Sequence, residues 1–319
     1  EKHIRIGPYA AKNFEYMIEL AATALGGREE LTKRPLISLL TEPTSPLRWH
    51  WESVQWIVLA CKHGLPIQVS SSALAGATGP ITLAGILVLQ NAENLAGVTL
   101  AQVINPGIPV FYAPRLAPMD LRTSIPLVGS VEFGLMQAAA AEIAQHCGLP
   151  TDINGPGSDS KTTDEQSALE RAFTTLLPAL SGVNIINGVG LLESMRTQSL
   201  EQTLIDNDII GMVLRAVRGI EVDNERLALD VLASVGPSGH FLGEKHTREY
   251  HLREHYIPKL CDRRDRTAWE KAGSKDIVQR AKEEVKRTLK EHTPAPLDKD
   301  VVKQMHSILE CAKKAVTEG

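Results

Sequence analysis

The chain has 319 residues, 43% of them hydrophobic and 23% charged, with a formal net charge of -4, the balance of a globular protein with a sizeable core. That charge gives no basic footprint for nucleic acid, and Cys61, Cys147, Cys261 and Cys311 stand too far apart for a CxxC site, as in a reduced, cytoplasmic protein. The length suits two domains or one α/β barrel, no signal peptide opens the chain, and Glu1 in place of Met reads as a processed or excised piece.

In chain order, Lys2–Ile6 offers a strand and Leu36–Leu40 a clearer one. A helix is predicted over Glu52–His63 and a strand over Ile67–Ser71. The long helix Ile81–Val103 follows a Gly/Thr/Pro-rich lead-in, with Pro80 suited to its first turn and Thr78 or Gly79 to its cap. That lead-in, Thr78–Ala84, is expected at the mouth of the strands beside Ser70–Ser72. Within the helix Leu87, Asn91, Leu95 and Val98 share one face, so Asn91 interrupts a stripe meant for the core. An unpartnered polar group there is costly. Asn91, Glu93 and Asn94 are therefore either satisfied or solvent-facing structural groups, or part of a site at the start of this helix. Gly79 and Pro80 break the weakly polar run Ala73–Leu89, which falls short of the roughly 18–20 apolar residues a membrane span needs.

Further along, strands are predicted at Pro109–Tyr112, Thr151–Asn154 and Asn184–Ile186, with helices at Val131–Cys147, Glu165–Leu180 and Leu200–Val217. Arg218–Val235 leaves room for a seventh strand. Gly64–Pro66, Pro106–Pro109 and Gly148–Pro150 each mark a helix stop before a strand. One strand-plus-helix unit every roughly 30–40 residues argues a parallel sheet with crossover helices. After a charged stretch, Glu244–Glu270, the stripes Ile277, Ala281, Val285, Leu289 and Val302, Met305, Leu309, Ala312 predict two amphipathic helices about a Pro294–Pro296 hinge. They pack on the exterior or form a partner surface.

In such a fold the loops after the strands build the site. Glu42 directly follows a strand, as a site carboxylate or a loop pin. Trp49, Trp51 and Trp56 crowd the next loop and helix, and Tyr112 closes another strand. In a chain with 4% aromatics, these rings are core residues or the wall of a cage for a quaternary ammonium, whose charge the ring faces attract. Asp159 and Lys161 would sit at the mouth, with Asp164 as a helix cap. Asn187 and Glu193 flank a turn in which Gly190 permits close backbone approach. They hydrogen-bond a ligand or merely cap the turn. His240 lies between glycines, structural or within a cleft. His251–His255 (HLREH) matches the H-x-x-E-H pattern of zinc peptidases, though Arg248, Glu249, Arg253 and Lys259 give it the look of a solvated face.

Several segments carry a resemblance together: Gly76–Gln102, Gly107–Tyr112 (GIPVFY), Ser158–Gln166 (SDSKTTDEQ), Gly188–Glu193 (GVGLLE), Asp206–Asp208 (DND) and Gly236–Leu242 (GPSGHFL). It continues through His246–Thr247, Pro258, Asp262–Arg264 and Trp269. In this order, over nearly the whole chain, they resemble the trimethylamine methyltransferase family of corrinoid-dependent methylamine and betaine demethylases. Five clear units are too few for an eight-stranded barrel, and family members carry sequence before this point. The resemblance thus implies a TIM-type (β/α)8 barrel, leaving open whether its first strands are missing, over residues 1–243. Residues 244–319 then form a charged segment and helices on its outside. No non-standard residue occurs in the sequence, which points away from the pyrrolysine-bearing members and towards demethylases of quaternary amines such as glycine betaine or carnitine.

The implied activity moves a methyl group from such an amine to Co(I) of a corrinoid held by a partner protein, with no metal ligand in this chain. His240 and Glu193 are the expected catalytic residues, and Glu42, Trp49, Tyr112, Asp159 and Asn187 the expected substrate-binding ones. Glu42, Tyr112, Asn187, Glu193 and His240 are expected to converge on one mostly apolar cavity with an aromatic wall. No nucleic acid or membrane partner is expected, and homo-oligomerisation is left open. The rivals are a zinc metallopeptidase using His251, Glu254 and His255, and a scaffold that only docks the corrinoid protein.

Overall fold

The computed structural model describes residues 2–7 and 11–317. Six short strands run parallel, side by side in the order of the sequence: β1 (Ile4–Ile6), β2 (Ile37–Thr41), β3 (Ile67–Val69), β4 (Val110–Tyr112), β5 (Asp152–Asn154) and β6 (Ile185–Asn187). A bridge between Tyr112 and Thr151, with the Tyr112 N–H donating to Pro150 O at 2.9 Å, joins β4 to β5. All six lie on or within a residue or two of the aliphatic runs that announced them. Among the described residues no backbone pairing joins β6 to β1, so the sheet is not closed into a ring. Its edges nevertheless come within side-chain reach, since the Arg5 guanidinium on β1 donates to Asn187 Oδ1 on β6 at 3.3 Å.

Parallel neighbours need crossover connections, and helices supply them here: α1 (Ala11–Leu25), α2 (Trp51–His63), α3 (Leu83–Ile104), α4 (Val131–His146) and α5 (Glu165–Leu180), with α6 (Leu200–Arg218) following β6. Hydroxyl or carboxylate caps start the later ones: Ser130 accepts from Phe133 N–H, Asp164 from Ser167 N–H and Ser199 from Gln202 N–H. Strand alternation sorts the side chains. Leu39, Ile67, Val69 and Val110 are buried against Phe14 and Ile18 of α1, Ile57 and Ala60 of α2, and Val98 and Ala101 of α3. The opposite face carries Arg5, Ser38, Gln68, Asp152, Asn154 and Asn187, in register or two residues apart along their strands.

Three local expectations need correction. Residues 218–235 hold no strand. Asp223 caps a short helix, Asn224–Leu227, and a second helix, Leu229–Val235, follows. The apolar spacing of Phe14, Ile18, Ala21 and Ala22, all buried, makes α1 the first crossover helix, which the strand-based reading passed over. The cap of α3 is Thr82, so Pro80 precedes the helix and Thr78 instead accepts the Leu74 N–H through its hydroxyl at 2.9 Å. Beyond β6, α7 (Lys245–Glu254), α8 (Ile277–Glu291) and α9 (Lys299–Thr317) complete the chain. Ala281 and Ile277 of α8 pack with Ile205 of α6, while α9 lies along α1.

The helices α5 and α6 are joined by a buried ion pair. Arg171 and Asp206 meet at 2.7 Å with both side chains fully buried. Arg171 also donates to Pro156 O at 3.1 Å and to Leu191 O, and Asp206 accepts the Gly190 N–H at 2.7 Å. Burial disfavours both charges, and their mutual attraction and hydrogen bonds offset part of it. Asp206→Ala should therefore lower unfolding stability by about 3–5 kcal/mol. Replacing the pair together, by Met at 171 and Leu at 206, should cost much less. Urea unfolding of the two variants checks this, and equal losses would show that Asp206→Ala leaves no uncompensated buried charge on Arg171.

Candidate functional site

The loops that leave the C-terminal ends of the strands surround a cavity of about 560 Å³. Arg5, Leu40, Glu42, Arg115, Asn154 and Asn187 line its inner part. Leu74, Val128, Phe133, Ser194 and Met195 form walls, and the exposed Gln198 stands at the rim.

Arg115 lies two residues beyond the Ala113 backbone contact to β3 and is almost wholly buried. It donates to Asp152 Oδ1 at 2.9 Å, to Asp152 O at 2.5 Å and to Pro114 O at 2.9 Å. Burial holds its guanidinium below the ordinary value, and the Asp152 carboxylate opposes that shift. Asp152, 2% exposed, is shared. It also receives the Asn187 amide and lies 3.5 Å from Arg5. Glu42 is tied less tightly, by Ser70 Oγ at 3.3 Å.

Two anchors set the loops. On one side Glu93 of α3, 1% exposed, accepts from Ser45 Oγ at 2.8 Å, from Leu47 N–H at 2.7 Å and from Ser71 Oγ. Asn94 accepts the Ser71 N–H at 2.9 Å. Through these bonds Glu93 and the Asn94 carbonyl pin the loops after β2 and β3. On the other side Asp159 accepts from Val128 N–H at 3.0 Å, Gly129 N–H at 3.1 Å and Ser194 Oγ at 2.8 Å. Glu193, Ser194 and Met195 all have positive φ, 53°, 51° and 70°, which costs L-residues roughly 1–2 kcal/mol each. This left-handed turn sends Ser194 and Met195 into the cavity wall. Gly190, with φ 81°, is required for another reason: a Cβ there would lie 2.2 Å from Thr203 Oγ1 on α6.

Of the five residues expected to converge, Glu42 and Asn187 line the cavity; Asp159, expected to bind substrate, borders it through Ser194. The others do not meet there. Tyr112 is the outward member of its strand, in register with Val69. It is buried among Ala140 and Ala144 of α4, its hydroxyl donating to Gln90 Oε1 at 3.1 Å or Asn91 Oδ1 at 3.0 Å. Burial pushes its phenol up. Trp49 also lies on the helix side, where a Cβ on Gly97 would come within 2.6 Å of its ring. Trp51 is 70% exposed. Among the described residues no tryptophan lines the cavity, and Phe133 is an aromatic residue of its wall. The Glu193 carboxylate accepts from Thr197 Oγ1 at 2.9 Å, and His240 is exposed in its loop and is not among the lining residues. Sequence reasoning passed over Arg5, Arg115 and Asp152. An Arg between two isoleucines in β1, and another among small apolar residues in Ala113–Pro118, are the signals that a buried carboxylate partner was needed.

The zinc-peptidase motif lies at the end of α7. The helix runs to Glu254, and His255 takes its C-cap, the His255 N–H still donating to His251 O at 3.1 Å. Their rings meet edge to face at 5.5 Å. Glu254 is held by Arg215 at 3.3 Å and Arg226 at 3.6 Å, which leaves it poorly placed as a base.

A sequence model of the trimethylamine methyltransferase family, MTTB, matches residues 1–316. The chain is 42% identical over 315 residues to trimethylamine methyltransferase MttB of Methanosarcina barkeri, covering 98% of this chain and 63% of that protein. It is 40% identical to trimethylamine methyltransferase MttB of Desulfitobacterium hafniense DCB-2, covering 97% and 62%. It is 36% identical to a glycine betaine methyltransferase of D. hafniense Y51, covering 95% and 64%. The chain thus spans less than two thirds of the length of these relatives.

Two substitutions test the placements. Tyr112→Phe should lower stability by about 1 kcal/mol, the net worth of its hydrogen bond, and leave ligand affinity of the cavity unchanged by calorimetry. A loss of affinity without a loss of stability would restore Tyr112 to the site. Burial holds the Asp159 carboxyl above its ordinary value of 3.8. A carboxyl raised in the folded state lends stability that is full below its unfolded value and lost as pH rises through the folded one. Wild type should therefore lose thermal stability relative to Asp159→Asn as pH climbs from 3.8 into the range just above. Parallel melting curves for the two proteins would refute the burial effect.

Proposed function

The chain belongs to the trimethylamine methyltransferase family, and on that premise we propose that its cavity takes a methylated, quaternary amine whose methyl group passes to a corrinoid on a partner protein. The observation that carries this reading is the cavity at the C-terminal ends of the parallel strands, where α/β enzymes hold their ligands. Its volume of about 560 Å³ is within the range of small-molecule sites, and Glu42 gives it a carboxylate for the ammonium.

The corrinoid, when its protein docks, supplies nucleophilic Co(I) as the methyl acceptor. The residues of this chain do the rest. Glu42 balances the cation, Asn154 and Asn187 orient it, and Leu74, Val128, Phe133 and Met195 exclude water around the N–CH3 bond. A quaternary ammonium departs as a neutral tertiary amine, so no proton has to move. Among the described residues the lining contains no histidine, in keeping with chemistry that asks for no general acid. The catalytic roles expected of His240 and Glu193 are not retained in this proposal. Nothing favours the peptidase.

The same reading takes the six sequential strands as part of a (β/α)8 barrel. Residues 1–243 are its barrel portion, and residues 244–319 pack on the outside.

The test is transfer from a panel of methylated amines to Co(I) cobalamin, followed by the cobalt absorption spectrum. A quaternary amine should alter the spectrum in the presence of the chain, and Glu42→Gln should weaken amine binding by about tenfold, the worth of one charged contact. Binding of amines unchanged by Glu42→Gln, or no transfer from any of them, would overturn the proposal.

A further inference from the structure

We propose that the cleft between residues 259–264 and α8 is a phosphate site, taking inorganic phosphate or the phosphate end of a small phosphomonoester. The cleft has a volume of about 370 Å³, and four cations, Lys259, Arg263, Arg264 and Arg280, line it against one carboxylate, Asp262. In a chain whose net charge is -4, so local an excess of positive charge focuses potential and draws anions. The cleft shares no lining residue with the cavity at the strand ends, so what that cavity binds has no bearing on it.

The frame of the cleft is built without help from a ligand. Asp208 of α6 accepts the Lys259 and Leu260 N–H groups at 3.1 and 2.6 Å. Arg280 of α8 donates through Nε to Leu260 O at 2.7 Å and through another nitrogen to Lys275 O. The 259–264 segment and the start of α8 are thereby tied together, and an anion meets cations whose backbone is already placed, which lowers the ordering cost of binding.

The one carboxylate is already spent. Asp262 accepts the Arg264 backbone N–H at 2.9 Å and its Nε at 3.1 Å, and those bonds hold its carboxyl down at about 2. Asp262 thus answers Arg264, while Arg280 stands farther off, at 3.8 Å. Arg263 is exposed and makes no hydrogen bond or ion pair among the described residues, so its five donors are open. The carboxylate near Lys259 is Glu284, which is taken by Arg287 at 2.9 Å. Lys259, Arg263 and Arg280 therefore keep charge for a ligand. Two guanidiniums and an ammonium offer more donors than one carboxylate can use, whereas a phosphate brings further oxygens and a second charge.

Titration calorimetry with inorganic phosphate, ribose 5-phosphate and acetate tests the site, at an ionic strength of about 0.15 M, where loosely held ions are screened. At least one of the two phosphates should bind about tenfold more tightly than acetate. Equal affinity for both would mean that the phosphate group alone is read, and a preference for either would name the source. Arg263→Gln, which breaks no contact within the protein, should weaken phosphate about tenfold, and Lys259→Gln severalfold. Phosphate should also raise the melting temperature of the wild type more than that of Arg263→Gln. Affinity unchanged in both variants, or phosphates bound no more tightly than acetate (an adventitious ion only), would overturn the proposal. So would phosphate binding that is lost in Arg5→Gln and kept in Arg263→Gln, which would put the anion in the strand-end cavity instead.

Discussion

The fully buried Arg171–Asp206 pair is the interaction on which the cavity half of the molecule depends. Each partner reaches past the other to backbone: Arg171 to Pro156 O after β5 and Leu191 O after β6, Asp206 to the Gly190 N–H. Gln202 and Ser167 fill the remaining polar positions, with Gln202 donating to Asp206 at 2.8 Å and Ser167 accepting from Arg171 at 2.9 Å. Such a pair is weak evidence for net stability, because desolvation takes back much of the attraction. Its contribution lies in geometry. Two strand-end loops with little apolar surface of their own are fixed to two helices by directional bonds. Two residues on, Asp208 accepts the N–H groups of Lys259 and Leu260 at 3.1 and 2.6 Å and secures the charged segment after α7 in the same manner. The Asp206–Asp208 motif is thus a pair of structural clamps on nearly opposite faces of α6.

The polar groups around the cavity fall into two kinds. Glu93 and Asp206 are buried and have their oxygens committed to protein donors. Arg5, exposed with two long contacts, and Glu42, half-buried with one, keep capacity facing the cavity. The distinction matters because an unmet polar group in low dielectric is costly, and it persists where a ligand or water meets it. Helix α3 illustrates the first kind. By length and composition it could cross a membrane, yet its carboxylate and amides are directed at Ser45, Leu47, Ser71 and Tyr112 of the same chain.

Strand positions were legible because aliphatic runs and Gly-Leu-Pro punctuation recur on them, and their parallel order followed from the helical patterns between. Side-chain direction was harder. A residue at the end of a three-residue strand points in or out according to register, and Tyr112 turned out to share a face with Val69, not with the cavity. Glu42 and Asn187 were found because they follow strands and point inward. Arg115 was missed because its role depends on Asp152, 37 residues away, which no local pattern announces. The 193–195 turn was also out of reach, because nothing in Glu-Ser-Met suggests left-handed backbone. His240 drew attention through its flanking glycines, but those glycines loosen a loop that the structure leaves in solvent.

The contact from Arg5 to Asn187 spans 182 residues, whereas each strand otherwise pairs with one contributed by the next unit of chain. Sheets of this sequential kind can be assembled step by step from neighbouring units, with modest loop-closure entropy at each addition. The Arg5 contact is different, because it bridges the first strand described and the last of the six. It can form only after every intervening unit has docked with the correct curvature. A partly folded chain could hold β1 to β4 and their helices with Arg5 still apart from Asn187, so the contact between the first strand described and the last of the six is made only once all of them are in place.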